Sequence, residues 1–120
     1  MSPLSDMNNN PTNDDLVWRA LSDARRRQML DRLAKGPATT GELVADFAPL
    51  CRTAVMKHLD VLEAAGLLIV RLDGRMRWNH LNPVPIEDIP QRWIENRQQR
   101  MGAALNRLKS IVEEPERTKK

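Results

Sequence analysis

The chain has 120 residues, a formal net charge of +3 and a sequence pI of about 9.5, which allows one domain and does not by itself identify a nucleic acid as the partner. Its single cysteine, Cys51, excludes an intrachain disulfide and fits a reducing compartment. No apolar run approaches the roughly 20 residues of a membrane span. The polar N-terminus lacks the pattern of a signal peptide, so we expect a cytoplasmic protein.

The N-terminal part of the sequence predicts a disordered polar tail, residues 1–12, followed by two helices. Asn13 can cap the first helix. Ser22 or Asp23 can cap the second helix, which is expected to run to about Lys35 and to end at a Gly-Pro pair. The apolar positions of these two helices are Trp18, Leu21, Met29, Leu30 and Leu33.

Three consecutive arginines, Arg25, Arg26 and Arg27, fall in the first turn of the second helix. One interpretation is a solvated face that forms ion pairs. The other is that one or two of these side chains contact DNA phosphates.

Two further helices follow. Thr39 and Glu42 have the spacing of a capping box, which predicts a third helix from Thr40 to Phe47. Pro49 prevents its continuation. A fourth helix is expected from about Arg52 to Ala65, ending at a glycine.

The fourth helix is amphipathic. Its apolar residues Val55, Leu59 and Leu62 recur at i, i+4 and i+7, so they are expected to share one buried face. The opposite face carries Thr53, Met56, Lys57 and Asp60.

A short hairpin is predicted directly after this helix. Leu67 to Leu72 reads as a strand, Asp73-Gly74 as a type I′ turn, and Arg75 to Leu81 as the returning strand. In the returning strand Arg75 and Arg77 alternate with Met76 and Trp78. One face of the strand is therefore predicted to be basic and the other apolar.

A helix followed at once by a small basic hairpin is typical of a winged helix-turn-helix that binds double-stranded DNA. The predicted fold is therefore mainly α with a small β-hairpin. The expected phosphate contacts are Arg52, Arg71, Arg75 and Arg77, and the expected base contacts are Thr53, Met56 and Lys57. The alternatives are a solvated helix face and an edge strand protected by its charges.

The last helix is expected to run from about Ile86 or Pro90 to Glu113, which bounds the domain at residues 13–113 and leaves residues 114–120 to fray. Its apolar stripe is longer than a small domain can cover, so we expect a homodimer joined through the first and last helices. The predicted interface residues are Trp18, Leu21, Trp93, Ile94, Met101, Leu105 and Leu108.

The order of elements and the segments LVWRALSDARRRQMLDRL, RTAVMKHLDVLEAAGLL and RLDGRMRWNHLNPVPI resemble the ArsR/SmtB family of bacterial winged-helix repressors. The segment AVMKHLDVLEAAG is the most specific part of this resemblance. The resemblance implies a homodimeric repressor that binds an imperfect inverted repeat near its own promoter. It also implies release of the DNA by an effector, for which the interface between the first and last helices would be the pocket.

The sequence departs from the metal-sensing members of that family. Their third helix carries a Cys-x-Cys pair, whereas this chain reads ELVADF, with Val44 and Asp46 near the ligand positions. The last helix, WIENRQQRMGAALNRL, has no His or Asp for the second known site. Soft and borderline metals need thiolate or imidazole ligands, so we expect neither a metal nor another cofactor.

Three side chains allow more than one interpretation. Cys51 lies at a helix N-terminus beside Arg52, so it is either a small N-cap residue or the site of a single-cysteine redox switch. His58 is expected to be packed or hydrogen-bonded, and His80 to be structural.

Two other classes of function fit the sequence less well. A winged helix can serve as a protein-interaction module without binding an operator, but the outward cations make this the weaker interpretation. The sequence shows no paired carboxylates, nucleophile with a base or phosphate-binding glycine loop, so an enzyme is not expected.

Overall fold

A computed structural model describes residues 13–89 and 99–112 of the chain. The predicted fold class is confirmed, because the structure is mainly helical with one small antiparallel sheet. None of the helices within the two described ranges is both long and apolar enough to cross a membrane. The elements are α1 (Asn13–Leu21), α2 (Ala24–Leu33), β1 (Ala38–Thr39), α3 (Thr40–Asp46), α4 (Arg52–Ala64), β2 (Leu68–Asp73), β3 (Met76–Leu81), α5 (Val84–Glu87) and α6 (Gln99–Val112).

One apolar core joins the helices and the inner side of the sheet. The predicted stripes of α2 and α4 are confirmed, and all six of their leucine, methionine and valine side chains are buried. Val17 and Ala20 of α1 were not predicted as core residues but are buried as well. The remaining buried apolar residues are Leu21, Ala38, Leu43, Ala65, Leu67, Leu68, Ile86, Ile89, Leu105 and Leu108.

Polar caps define where α2 and α3 begin. The Asp23 carboxylate accepts hydrogen bonds from the backbone N–H groups of Arg25 at 2.7 Å and Arg26 at 3.4 Å. The predicted capping box is confirmed, because Thr39 N–H donates to Glu42 Oε1 at 2.9 Å and Glu42 N–H donates to Thr39 Oγ1 at 3.1 Å. These bonds satisfy N–H groups that the first turn of a helix leaves without partners.

The end of α4 is set by Gly66, which adopts φ of 78°. Leu67 N–H then donates to Leu62 O at 3.0 Å, the bond that typically closes a helix at a left-handed residue. The predicted glycine stop is therefore confirmed, and β2 follows directly.

The sheet has the strand order β1-β3-β2, with both pairs antiparallel. The two-residue strand β1 was not predicted, and it pairs Ala38 with Asn79. The predicted Asp73-Gly74 turn is wrong by one residue, because Asp73 pairs with Met76. Gly74, at φ of 63°, is the first of the two loop residues, where hairpin turns require positive φ.

The predicted division of β3 into a basic and an apolar face is also wrong. Asn79 is fully buried, and Arg77, two residues away on the same side, is half-buried. Met76 points to the other side and is 50% exposed. The side of β3 that carries Arg77 and Asn79 packs toward the helices. Arg77, one of the expected basic residues, therefore faces inward.

The structure contradicts one of the two predicted starts of the last helix, the start at Ile86. Ile86 is buried in the separate helix α5, which ends at Glu87. The helix α6 is described from Gln99 to Val112, and the predicted end at Glu113 lies outside the described residues. A start at Pro90 lies outside the described residues. Asn82 holds the connector in place, because its Nδ2 donates to Gly66 O at 2.8 Å.

Three residues predicted for the dimer interface are buried in the hydrophobic core of the single chain. Leu21, Leu105 and Leu108 are at most 1% exposed, because α6 packs on the helical core along its leucines. They therefore support α6 from within and are not surface residues. Trp18 and Met101 are half-buried. Trp93, Ile94 and the two predicted tails lie outside the described residues.

Candidate nucleic-acid interface

The first two turns of α4 carry the polar surface that the sequence predicts. Arg52, Thr53 and Lys57 are exposed, because Val55 and Leu59 fix the opposite side of the helix in the core. Met56 differs from the expectation, since it is half-buried and packs partly against the core. The helix thus presents two cations and a hydroxyl on one outward surface.

The hairpin of β2 and β3, called the wing below, is exposed at its tip. Arg71 and Arg75 are exposed, and Leu72 is 76% exposed. Arg75 lies in the turn itself, immediately before β3. The wing therefore presents cations together with exposed apolar side chains, among them Leu72 and Met76.

A cleft of about 300 Å³ separates the wing tip from the start of α4. It brings together three of the predicted DNA-contacting arginines with residues from the beginning of α3. Arg71, Thr53 and Lys57 do not line it. Its lining residues are Thr39, Thr40, Gly41, Arg52, Met56, Arg75, Met76 and Arg77.

The Arg77 guanidinium is already ion-paired within the chain. Its Nη2 donates to Glu63 Oε1 at 3.2 Å, and its side chain is 24% exposed. Its Nε is buried without a hydrogen-bond partner. Arg77 therefore lines the cleft while being ion-paired to the last turns of α4.

Asn79 was missed by the sequence reasoning. Its Nδ2 donates to Ala38 O and to Thr40 Oγ1, each at 3.2 Å, while its Oδ1 is buried without a partner. The available signal was a polar residue at an alternating position of a strand expected to pack on a core. This side chain connects the wing to the first residue of α3.

Arg26 forms an ion pair, as one interpretation predicted, but Arg26 and Arg27 are half-buried and bonded to backbone carbonyls instead of forming a solvated face. Arg26 is 13% exposed and ion-paired with Asp23 at 3.7 Å. It donates to Ala20 O at 2.9 Å and to Arg19 O at 3.1 Å. Arg27 Nη1 donates to Leu21 O, the last carbonyl of α1, at 2.8 Å. The cause is the open C-terminal end of α1, whose last carbonyls need donors.

His58 is half-buried on α4, and its Nδ1 lies 3.3 Å from Arg26 Nη1. Since a guanidinium only donates, this contact requires Nδ1 to accept. The predicted hydrogen-bonded role of His58 is confirmed. His80 is half-buried in β3, paired with Ile69 across the hairpin.

Cys51 is exposed at the N-cap position of α4, and its side chain makes no capping hydrogen bond. The expected metal-ligand positions have other contacts. Asp46 accepts from Arg32 Nε at 3.0 Å, and Val44 packs against the core. Within residues 13–89 and 99–112 no three His, Cys, Asp or Glu side chains group as metal ligands would.

A helix-turn-helix formed by α3 and α4, followed by a basic two-stranded wing, defines the winged helix-turn-helix class. Residues 21–71 match the family model described as a helix-turn-helix domain. The HTH-type transcriptional regulator Rv2034 of Mycobacterium tuberculosis is 45% identical over 69 residues, which are 58% of this chain and 64% of that protein. The chain thus spans less than two thirds of this relative's length.

In two further comparisons the match covers a larger share of the other protein. The transcriptional repressor SdpR of Bacillus subtilis is 29% identical over 72 residues, 60% of this chain and 79% of that protein. A crystal structure of an ArsR family transcriptional regulator superposes with a TM-score of 0.63 at 31% identity, covering 73% of this chain and 94% of that one. The chain belongs to the ArsR family of transcriptional regulators, which is not a family of enzymes.

Proposed function

We propose that this regulator is a homodimeric repressor that binds double-stranded DNA at an imperfect inverted repeat near its own promoter. The observation that carries the proposal is the surface formed by α4 and the wing. Exposed Arg52 of α4 and exposed Arg75 of the wing line the cleft, and Thr53 and Lys57 are exposed on α4 outside its lining. Cations on two elements that flank a cleft are suited to a polyanion with two grooves.

In the proposed complex α4 enters the major groove and the wing lies along the neighbouring backbone and minor groove. A helix and a hairpin in adjacent grooves must straddle the strand that separates them, so the cleft is where that strand would pass. Arg52, Arg71 and Arg75 would neutralise phosphates. Thr53 and Met56 can contact a thymine methyl group, and Lys57 can reach guanine acceptors.

The ion pair of Arg77 modifies its proposed role. A guanidinium held by Glu63 at 3.2 Å loses a charge-assisted bond if it turns to a phosphate. Arg77 would therefore contribute less to phosphate neutralisation than the three exposed arginines.

The family resemblance and the terminal helix support the proposed dimer. Met101, Ile111 and Val112 of α6 are only half-buried, which leaves apolar surface for a second copy. Two copies related by a two-fold axis would present two recognition helices, which suits an inverted repeat. The name of SdpR as a repressor supports repression by this chain. We further propose that an unidentified small-molecule effector binds at the α1–α6 interface and releases the DNA.

The test is fluorescence anisotropy on duplex DNA from upstream of the gene, titrated at several salt concentrations. Wild type should bind with an affinity that falls steeply with salt. Arg52→Gln should reduce the slope of log K against log salt by about 0.9, the expectation for one lost phosphate contact. Arg19→Gln, which removes an exposed arginine of α1, is the charge-matched control and should leave the slope unchanged.

Sedimentation of the same complexes reports how many copies bind each duplex. Two copies on the upstream duplex support the dimer, and one copy contradicts it. Absence of any salt-dependent binding, to random DNA as well, would contradict the DNA-binding proposal and favour a protein-interaction module.

The redox alternative is tested in the same assay. Cys51 is exposed beside the proposed DNA surface, so an oxidised sulfur there would add negative charge next to phosphates. Release of wild type but not of Cys51→Ser by peroxide would support a redox-responsive repressor. If both proteins stay bound, Cys51 is only a helix-terminal residue.

A further inference from the structure

The inward side of β3 carries two polar residues where apolar side chains would pack against the helices. Arg77 and Asn79 alternate along the strand, so they point to the same side. Each is bonded to a different helix of the helix-turn-helix. Arg77 contacts Glu63 near the end of α4, and Asn79 contacts Thr40 at the start of α3.

The Asn79 contacts are fully enclosed. Its side chain is 0% exposed and Thr40 is 5% exposed. The amide makes two hydrogen bonds but leaves Oδ1 unpartnered. A buried polar atom without a partner is destabilising, so this asparagine is a poor choice for stability alone. What it adds over an apolar residue is a directional link between the wing and α3.

The Arg77 contact is the second link, on the other helix. Its Nη2 donates to Glu63 Oε1 at 3.2 Å while its Nε is buried. Because α4 is joined to β2 by a short turn at Gly66, this ion pair spans the hairpin from its far strand back to α4. The wing is thus attached to both helices.

We propose that Asn79, Thr40, Arg77 and Glu63 form a wing latch that fixes the distance between the wing tip and α4. These are positioning residues, acting on DNA through the arginines that line the cleft. The wing latch rests on the proposed DNA binding. Its consequence is specificity, since the recognition helix and the wing must keep one relative position for base contacts and phosphate contacts to form together.

The cleft shows why the latch would matter for DNA. Thr40, Arg52 and Arg75 all line it, so a change in wing position changes the separation of the cations of the two elements. Random DNA tolerates such a change because phosphates repeat along the backbone. A specific site does not, because base readout fixes the register of the helix.

The experiment compares Thr40→Val, which removes the hydroxyl acceptor at nearly constant volume, with Thr40→Ser, which keeps it. It also compares Glu63→Gln with Glu87→Gln, which removes an exposed carboxylate from α5. The duplex is one selected by wild type from a random-sequence pool, and a scrambled duplex serves as random DNA. The measured quantity, for each full-length protein, is the specificity ratio, which is the dissociation constant for the scrambled duplex divided by that for the selected duplex.

Thr40→Val and Glu63→Gln should each lower this specificity ratio about fivefold, the size expected for one lost hydrogen bond. Thr40→Ser and Glu87→Gln should retain it. On random DNA Glu63→Gln should steepen the salt slope by about 0.9, because the released Arg77 gains a phosphate. A purely structural role would weaken binding to both duplexes by one factor and leave the ratio unchanged.

Ratios within about twofold of wild type for both variants, well short of the change expected for one lost hydrogen bond, would overturn the latch while leaving DNA binding intact. A pool from which wild type selects no sequence would overturn the specific-binding proposal and the latch together. Hydrogen exchange without DNA gives an independent readout. Residues 68–81 should exchange faster in Thr40→Val than in Thr40→Ser, and equal rates would overturn the latch.

Discussion

The N-terminus of α4 is predicted to be stabilised by Cys51→Ser. Cys51 has φ of −77° and ψ of 165° and makes no side-chain cap. Thr39 has nearly the same dihedrals, −74° and 160°, and caps α3 through its hydroxyl. The backbone at position 51 therefore already has the geometry in which a serine hydroxyl can accept a hydrogen bond from a backbone N–H in the first turn of α4. An N-cap hydroxyl contributes about 1 kcal/mol, which raises the melting temperature of a domain this size by about 4 °C.

The assay is urea unfolding under reducing conditions, followed by circular dichroism. Cys51→Ala is the control for loss of the thiol and should match wild type, because no cap is lost. Thr39→Ala removes an existing cap and should destabilise by about 1 kcal/mol. If Cys51→Ser is no more stable than Cys51→Ala while Thr39→Ala is destabilised, the capping argument at α4 is refuted.

Three other predictions follow from buried or paired groups. Leu59→Ala should cost 2–5 kcal/mol in urea unfolding, about the usual range for a buried leucine, whereas Val84→Ala at a 54% exposed position should change stability little. Burial raises the pKa of Asp23, but backbone hydrogen bonds and the charge of Arg26 outweigh it, so that pKa lies below its ordinary value of 3.8. The ionised carboxylate thus stabilises the fold above pH 3.8, and the stability advantage of wild type over Asp23→Asn should shrink as the pH falls below it; a constant difference contradicts this. Arg26→Lys should destabilise by about 1–3 kcal/mol because one ammonium cannot replace the forked contacts, and an unchanged urea midpoint would contradict that reasoning.

The helices were predictable because their signals are local. The i, i+4, i+7 spacing of Val55, Leu59 and Leu62 specifies the buried side of α4 without knowledge of what covers it. The capping box of Thr39 and Glu42 lies within four residues of the chain. Such patterns survive in any tertiary context that keeps the helix.

The sheet was less predictable because its third strand exists only through a distant partner. Two residues, Ala38 and Thr39, have no alternation to read, and they become β1 by pairing with Asn79 and Trp78. The helices α2 and α3, which pack against β3, decide which side of that strand is inward, and hence that Arg77 is not part of an outward basic face. A strand's alternation shows that two faces differ, but only its neighbours show which face is buried.

The same reasoning explains why the sequence left two interpretations of the α2 arginines open. Basic residues in the first turn of a helix oppose its dipole, so an external anion is an attractive explanation from sequence. The structure supplies internal acceptors instead, the carbonyls that end α1. Arg27 Nη1 donates to Leu21 O at 2.8 Å and to Met101 Sδ at 3.2 Å, and burial lowers the pKa of Arg27 from its ordinary value.

A phosphate that recruited Arg26 or Arg27 would have to break these bonds and leave carbonyls at the end of α1 without their donors. The cost of each unpaired buried acceptor, about 1–3 kcal/mol, is comparable to what a single surface charge contact returns. The exposed cations Arg52, Lys57 and Arg75 carry no such cost. The phosphate-contacting surface is therefore expected on α4 and the wing, while Arg26 and Arg27 of α2 connect α1 to α4 and α6.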